Sequence, residues 1–218
     1  MFDRLAGVYD VMNTLMTAGL HHQWRRRAAD RTGLAQGDSA LDVATGTGDL
    51  AAELARRVGP DGQVVGCDFS APMLERARSK VGGVRFELAN ALALPYEDGS
   101  FDAVTVGFGA RNFSDLDRGL AEMARVVTPG GRMVVLEITA PQRPPLSWFF
   151  RIWFDRAVPA LGRLAGDADA YSYLPSSVRR FPGPPALAQR LASAGLEDVR
   201  YLVTAGGIIA IHWGRVAG

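Results

Sequence analysis

Short apolar runs alternate with amphipathic stretches over the first two thirds of the chain. Five strands are predicted from the apolar runs at residues 40–44, 63–67, 84–88, 101–106 and 132–138. Helices are predicted from the periodic stretches at residues 50–58, 71–80 and 116–127, the last capped by Ser114 or Asp115. Strands that alternate with helices at this spacing are typical of βαβ units. The pattern therefore predicts an α/β fold, a doubly wound and mostly parallel sheet with helices on both faces.

The two ends of the chain depart from this alternation. Residues 2–31 show helical spacing and predict an N-terminal helical extension, residues 1–35, over the active site. Residues 141–183 are rich in proline and aromatic side chains and predict a helical lid or insertion. A helix at 186–194 and strands at 199–204 and 207–213, joined by Ala205-Gly206, predict a terminal antiparallel hairpin that completes a seven-stranded sheet. We expect residues 1–218 to form one domain.

Composition narrows the class of protein. The 218 residues carry a net charge of +1, which does not favour a protein held on nucleic acid by charge. The single cysteine, Cys67, lies in an apolar strand and indicates packing, and no intrachain disulfide can form. No signal peptide and no apolar run near the ~20 residues of a membrane span are visible. We expect a cytoplasmic protein, with a peripheral position on the inner face of the membrane left open.

A glycine-containing turn between the first strand and the following helix carries the strongest chemical signal. Gly46 and Gly48 let the backbone approach a ligand at a helix N-terminus, and Asp68 ends the next strand, twenty residues after Gly48. A carboxylate there can accept hydrogen bonds from both hydroxyls of a ribose. Asp42, in the strand before the glycines, can help neutralise the amino group of a methionine moiety. The same turn also satisfies a dinucleotide fingerprint that ends at Ala51, so both cofactor classes stay open.

Several segments together resemble the quinol C-methyltransferases, the demethylmenaquinone and polyprenyl-benzoquinol methylases of quinone biosynthesis. The matching segments are residues 2–13, 19–25, 41–49, 90–95, 108–112, 129–131, 136–137, 167–174 and 202–206. The most specific are Tyr-Asp-Val-Met-Asn at 9–13, Phe-Gly-Ala-Arg-Asn at 108–112 and Asp-Ala-Asp-Ala-Tyr at 167–171. The resemblance covers nearly the whole chain and implies a Rossmann-like class I fold that binds S-adenosylmethionine and releases S-adenosylhomocysteine.

The resemblance also implies the binding residues for this methyl donor. It implies donor contacts at Thr47, at Asp68 and at the pair Asn90-Ala91, and the backbone of Gly107 stands where the family often has serine. Ala44 replaces the first glycine of the usual motif and Thr45 replaces a second, changes that we expect to be tolerated because Gly46 and Gly48 remain. No metal ligand set is expected.

The resemblance implies that Arg111, Asn112 and Asp49 form the catalytic group. A quinol ring carbon becomes a strong nucleophile when a neighbouring hydroxyl loses its proton, and the phenolate needs a positive partner in a dry site. We expect Arg111 to stabilise the phenolate or orient a water, Asn112 to position the ring, and Asp49 to hold Arg111 or accept the proton. An Arg111–Asp49 pair that is only structural is the alternative.

Weaker candidates surround the expected prenylated quinol. Tyr9, His21, Tyr171 and Tyr173 are predicted to line the substrate pocket, with helix packing, a surface or capping role, and lid anchoring as the alternatives. Residues 146–164 read as a basic, aromatic-rich amphipathic helix suited to a membrane surface. A lid packed on the sheet or a homodimer contact explains that segment equally well.

Other functions compete on the same fold, because fold does not fix function. A nicotinamide-linked oxidoreductase would use the glycine turn for NAD(P). A methyltransferase acting on nucleic acid would use the basic segment at residues 20–31, but an Asn/Asp-Pro-Pro-Tyr/Phe motif after the fourth strand is missing. A methyltransferase for another small aromatic and a non-catalytic binding module also remain. We expect methylation of demethylmenaquinol to menaquinol, with a ubiquinone precursor as a further substrate left open.

Overall fold

The computed structural model describes residues 17, 19–141, 144, 147, 148, 152 and 175–218. Seven strands form one sheet in the order β3-β2-β1-β4-β5-β7-β6. Their bounds are β1 Ser39–Val43, β2 Gln63–Asp68, β3 Arg85–Leu88, β4 Phe101–Gly107, β5 Val127–Ile138, β6 Leu196–Thr204 and β7 Ile209–Val216. Strands β1 to β5 pair in parallel. The predicted doubly wound, mostly parallel sheet is confirmed.

Helices cover both faces of the sheet. Their bounds are α1 Leu20–Arg31, α2 Asp49–Val58, α3 Ala71–Lys80, α4 Leu116–Arg125 and α5 Pro184–Ser193. α4 and α5 bury Leu120, Met123 and Leu187 on one face, and α1 and α2 bury Trp24 and Leu54 on the other. The central strands are buried on both sides, which explains their nearly continuous apolar sequence. As predicted, Asp115 caps α4, accepting a hydrogen bond from Arg118 N at 3.0 Å.

Strand β5 begins earlier than its apolar run predicted. Residues 128–131, between the predicted helix at 116–127 and the predicted strand at 132–138, lie inside the strand, where the pairing with β4 jumps from Phe101–Val127 to Ala103–Arg132. A Cβ on Gly131 would stand 2.7 Å from the Asp102 carbonyl oxygen, so only glycine lets the irregular segment approach β4. Residues 128–131 therefore form a bulge within a longer strand.

The terminal hairpin is present, but its second strand is inserted into the sheet. β7 pairs antiparallel with both β5 and β6, so β6 is the edge strand. The link is a short 3-10 segment, Ala205–Gly207, in place of the predicted two-residue turn. β7 takes the inner position because Ile209 and Ile211 are buried, whereas Tyr201 and Val203 of β6 are exposed.

Several predictions lie outside the described residues. They include Tyr9, Tyr171 and Tyr173, residues 1–16 of the N-terminal extension, and most of the predicted lid at 141–183 with its amphipathic stretch 146–164. Two described residues of that stretch, Trp148 and Ile152, are exposed. Within the described part of the chain, no helix is both long and apolar enough to cross a membrane.

Candidate active site

A cavity of about 270 Å³ opens at the carboxyl ends of β1, β2 and β4. In the strand order, β1 lies between β2 and β4. The chain first adds β2 and β3 on one side of β1 and then crosses over to add β4 on the other side. Such a switch point creates a crevice in which open α/β sheets bind ligands. Nine of the predicted site residues line the cavity: Asp42, Gly46, Thr47, Asp49, Asp68, Asn90, Ala91, Gly107 and Asn112.

The turn after β1 is held in an unusual backbone conformation. Ala44 has φ 52° and Gly46 has φ 57°, both in the left-handed region. At the end of the neighbouring β4, Phe108 has φ 61°. Two non-glycine residues with positive φ on adjacent strand ends are costly, and such strain concentrates at functional sites.

Gly48 differs from the other predicted binding residues, because it faces away from the cavity. A Cβ on Gly48, whose φ is 84°, would stand 2.9 Å from Cζ of Phe86 and 3.2 Å from Cγ2 of Val81. Its amide donates to the Thr45 carbonyl at 3.0 Å and it directly precedes α2. Gly48 therefore shapes the turn and lets it pack on the layer below.

Asp68 closes the side of the cavity nearest β2. Its Oδ2 accepts a hydrogen bond from Gly46 N and its Oδ1 one from Ser70 N, both at 2.9 Å. These two bonds orient the carboxylate, and a carboxylate oxygen has two lone pairs with which it can accept hydrogen bonds. This orientation suits a diol ligand such as a ribose.

Asp42 lies at the floor of the cavity with only 1% of its surface exposed. Burial raises its pKa to about 6, against the opposing hydrogen bonds from Thr45 and Thr105 and the charge of Arg25. The hydroxyls of Thr45 and Thr105 donate to its two oxygens at 2.6 and 2.7 Å. A nearby cationic ligand would favour the ionised carboxylate.

Asp49 begins α2 and faces two cations. Lys80 Nζ lies 2.6 Å from its Oδ1, and Arg25 Nη2 lies 3.7 Å from its Oδ2. Burial acts to raise the Asp49 pKa, but Arg25 and Lys80 outweigh it, so the pKa is below its ordinary value. Asp49 is therefore a fixed negative charge at the cavity wall.

The loops after β3 and β4 also line the cavity. Asn90 Oδ1 accepts from Leu92 N at 3.0 Å, and this local bond shapes the Asn90-Ala91 turn. Exposed Phe69 offers an apolar face on the same side. Gly107 and Asn112 line the cavity from the end of β4 and the 3-10 helix Ala110–Asn112. Planar apolar and polar amide surfaces together suit a purine base.

The predicted pairing of Arg111 with Asp49 is wrong. Arg111 Nη1 donates to Glu137 Oε1 at 2.7 Å and to the Phe108 carbonyl at 2.5 Å, and its side chain does not line the cavity. The topology explains the difference. The segment after β4 lies beside β5, which carries Glu137, whereas Asp49 on α2 faces α1 and α3.

Sequence reasoning missed Arg25 as a site residue. Arg25 lines the cavity from α1, and His21 lies behind it, outside the cavity lining. His21, Trp24, Arg25 and Ala28 are all buried and stand at helical i, i+3, i+4 and i+7 positions. That spacing indicates a helix face directed at the core. The three consecutive arginines at 25–27 instead make the segment resemble an exposed basic surface.

The sheet order and this acidic cavity define a methyltransferase-type α/β fold. Solved structures share it: a SAM-dependent methyltransferase from Aquifex aeolicus at TM-score 0.65 (19% identity, 88% of this chain and 89% of that one) and one from Thermotoga maritima at 0.68 (19% identity, 98% and 97%). The [4+2]-cyclase SpnF shares it too, at 0.66 with 22% identity over 90% and 80%, so this likeness concerns the fold alone. The chain belongs to the ubiE/COQ5 methyltransferase family, whose model matches residues 1–216.

Curated relatives match along nearly the full chain. A demethylmenaquinone methyltransferase of Thermus thermophilus is 48% identical over 219 residues, 98% of this chain and 99% of the relative. A ubiquinone/menaquinone biosynthesis C-methyltransferase UbiE of Psychromonas ingrahamii is 42% identical over 221 residues, 98% of this chain and 88% of the relative. The family predicted from the motifs is confirmed.

Proposed function

We propose that the chain uses this cavity to bind S-adenosylmethionine and to methylate a ring carbon of a prenylated quinol, converting demethylmenaquinol to menaquinol. The observation that carries the proposal is the charge pattern of the cavity. Three carboxylates, Asp42, Asp49 and Asp68, line it together with the guanidinium of Arg25. The methyl donor carries a sulfonium, an ammonium and a carboxylate, a pattern that this wall complements.

The adenosine part of the donor fits the side of the cavity at β2 and β3. The amides of Gly46 and Ser70 orient Asp68, and its carboxylate would accept hydrogen bonds from the ribose hydroxyls. Asn90, Ala91 and Phe69 supply the polar and apolar surfaces for the adenine. Gly46, Thr47 and Gly107 also line the cavity. Asp42 and Asp49 would then hold the ammonium and sulfonium end.

A dinucleotide fits the same cavity poorly. Its diphosphate would need the N–H groups at the start of α2, but Asp49 supplies a negative charge there. The amide of Gly46 already donates to the Asp68 carboxylate. A diphosphate would thus meet carboxylates where a nucleotide fold normally offers free amides, which argues against a nicotinamide-linked oxidoreductase.

Bound S-adenosylmethionine would supply an electrophilic methyl group on a positively charged sulfur. The chain must hold the ring in line and stabilise the phenolate oxygen. Asn112 lines the cavity at the end of β4, where its amide can donate to a ring oxygen. Asp49, with its lowered pKa, would act as a fixed charge near the sulfonium and would be a weak general base.

Arg111 would contribute its charge from just behind Asn112. The Nε–H of Arg111 is buried without a hydrogen-bond partner among the described residues. An unpartnered buried N–H is costly, so a bound water would be favoured there as its acceptor. Glu137 holds the other edge of the guanidinium and keeps it from leaving this position. Three features remain predictions: a homodimer, a membrane contact through residues 146–164, and a quinol pocket lined by Tyr9, His21, Tyr171 and Tyr173.

Turnover with two quinols tests the proposal. The purified chain, labelled S-adenosylmethionine and reduced demethylmenaquinol should give a product heavier by one methyl group. A methoxy-polyprenyl-benzoquinol is the second substrate to try, because the 42% identical relative is named for both quinone pathways. S-adenosylhomocysteine should raise the melting temperature by mass action and NAD should not. Stabilisation by NAD without methyl transfer to either quinol would refute the proposal.

A further inference from the structure

Arg25 is a buried cation on the wall of the cavity. Its side chain is 7% exposed, and it is the one cationic residue lining the cavity among the residues that the structure describes. It reaches the site from α1, on the inward face that also carries Trp24. A buried guanidinium is costly unless an anion or several acceptors satisfy it.

The described contacts of Arg25 orient it but leave donors to spare. Nη1 lies 2.5 Å from Nδ1 of His21, and Cζ lies 5.3 Å from the centre of the Phe108 ring. Nη2 stands 3.7 Å from Oδ2 of Asp49, beyond hydrogen-bond distance. A guanidinium carries five N–H donors, so one imidazole acceptor and one distant carboxylate do not satisfy it.

Asp49 is a poor counter-ion for Arg25 because it is engaged elsewhere. Lys80 approaches Asp49 at 2.6 Å, more than 1 Å nearer than Arg25. Lys80 and Asp49 therefore form the tight ion pair. The positive charge of Arg25 is not neutralised by Asp49 and faces the cavity. Asp42, the other carboxylate nearby, uses both oxygens to accept hydrogen bonds from threonine hydroxyls.

We infer that Arg25 binds the carboxylate of the methyl donor's methionine moiety, and that His21 is a positioning residue that fixes the guanidinium. This rests on the proposed binding of S-adenosylmethionine. Carboxylate is the one anionic group of that donor, and bidentate contact with a guanidinium is a strong way to recognise it. Because a guanidinium only donates, Nδ1 of His21 must present its lone pair, so His21 works as the neutral imidazole.

A pair of ligands that differ only in the carboxylate isolates this role. S-adenosylhomocysteine carries it, and 5′-deoxy-5′-(3-aminopropylthio)adenosine keeps the amine and lacks the carboxylate. Isothermal titration of the purified full chain should show tighter binding of S-adenosylhomocysteine. In Arg25→Met, which keeps an apolar stem beside Phe108, its affinity should fall at least about tenfold, the loss typical of a hydrogen bond to a charged group. The amine ligand should bind as before.

Three further variants complete the experiment. Arg25→Lys keeps the charge without the planar fork and should recover part of the lost affinity. Arg26→Met, on the exposed side of the same helix, is the matched control and should bind both ligands like the unmodified chain. His21→Ala should weaken S-adenosylhomocysteine and leave the amine ligand unaffected. Thermal melting of each variant checks that it is folded.

The outcomes separate the inference from the proposed function. Equal weakening of both ligands in Arg25→Met would show a structural role and overturn the inference. Equal affinity of the unmodified chain for both ligands would overturn it as well, while leaving donor binding intact. Failure of the unmodified chain to bind either ligand would overturn the proposed function, and the inference with it.

Discussion

The guanidinium of Arg111 lies 2.7 Å from Oε1 of Glu137, and both side chains are buried, 9% and 1% exposed. Glu137 Oε2 also accepts from Arg111 N at 3.2 Å, and its Oε1 accepts from Ile138 N at 2.8 Å. One carboxylate at the end of β5 thus fixes both the side chain and the backbone of the segment after β4. The loop that we propose for catalysis is built on this pair.

Substitution of Arg111 by lysine should lower turnover strongly. Lysine keeps the charge, but it lacks the Nε–H and the planar fork whose Nη1 donates to both the Phe108 carbonyl and Glu137. We expect kcat for the quinol to fall by about tenfold or more, because a hydrogen bond to a charged group is worth about 1.5–3 kcal/mol. Steady-state kinetics and titration with S-adenosylhomocysteine measure this. Near-normal kcat with unchanged quinol KM would refute the role of the fork.

Glu137→Gln should lower the stability of the chain as well as its turnover. The substitution keeps the shape but leaves the Arg111 charge buried without its counter-ion, and breaking a buried ion pair costs about 3–5 kcal/mol. Urea unfolding measures the loss, and Glu197→Gln, at an exposed position on β6, is the control. A loss below about 1 kcal/mol would show that water reaches the pair.

Asp68→Asn should remove most of the affinity for S-adenosylhomocysteine. The amide would place N–H donors against Gly46 N or Ser70 N, which now both donate to the carboxylate. Because this repulsion adds to two weakened ribose contacts, we expect the affinity for S-adenosylhomocysteine to fall by about a hundredfold. Isothermal titration checks this, with Asp61→Asn in the exposed turn before β2 as the control. Unaltered affinity would place the ribose elsewhere.

Much of this site was predictable, because local sequence order determines where it lies. Asp42, Gly46 and Asp68 follow from the rule that strand ends of a parallel sheet meet at one edge, and their positions in the sequence are enough. The partner of Arg111 is not predictable in this way. Glu137 is 26 residues away, and only the pairing of β4 with β5 brings the two together.

Sequence reasoning missed two further features. A hairpin can join a sheet through either strand, so the inner position of β7 depends on burial differences that appear only after packing. The position of Arg25 on the cavity wall was hidden because Arg26 and Arg27 beside it are exposed and make the segment resemble a solvated basic face. The helical spacing from His21 to Ala28 was the signal available.

The free energy of unfolding should depend weakly on pH between 4 and 6, because the buried groups His212 and Asp42 change it in opposite directions. Burial lowers the pKa of His212 from 6.5 to about 4, against the hydrogen bond with the Pro184 carbonyl. The unfolded chain binds this proton first, so stability falls as pH drops from 6.5 to 4. Asp42, with its pKa raised from 3.8 to about 6, does the reverse: stability falls as pH rises through that window.

The two variants separate these contributions. In His212→Gln, the unfolding free energy should fall as pH rises from 4 to 6, since of these two groups Asp42 alone still titrates. In Asp42→Asn it should rise over the same interval, because His212 loses its proton. Each slope should amount to about 1–3 kcal/mol in total, at about 1.4 kcal/mol per pKa unit. Urea titrations at pH 4.5, 5.5 and 6.5 measure it. Slopes of the same sign in both variants would contradict the prediction that the two groups change stability in opposite directions.

Gly48→Ala should destabilise the chain more than Gly130→Ala. Both glycines have a left-handed φ, 84° and 80°, so each alanine carries a strain of about 1 kcal/mol. At Gly130 the new Cβ meets nothing within 4 Å, whereas at Gly48 it would stand 2.9 Å from Cζ of Phe86. The packing under the cavity must therefore shift only in Gly48→Ala, which adds about 1–3 kcal/mol. Urea unfolding of both variants gives the difference. Equal losses would mean that Phe86 moves aside freely and that Gly48 matters for its φ alone.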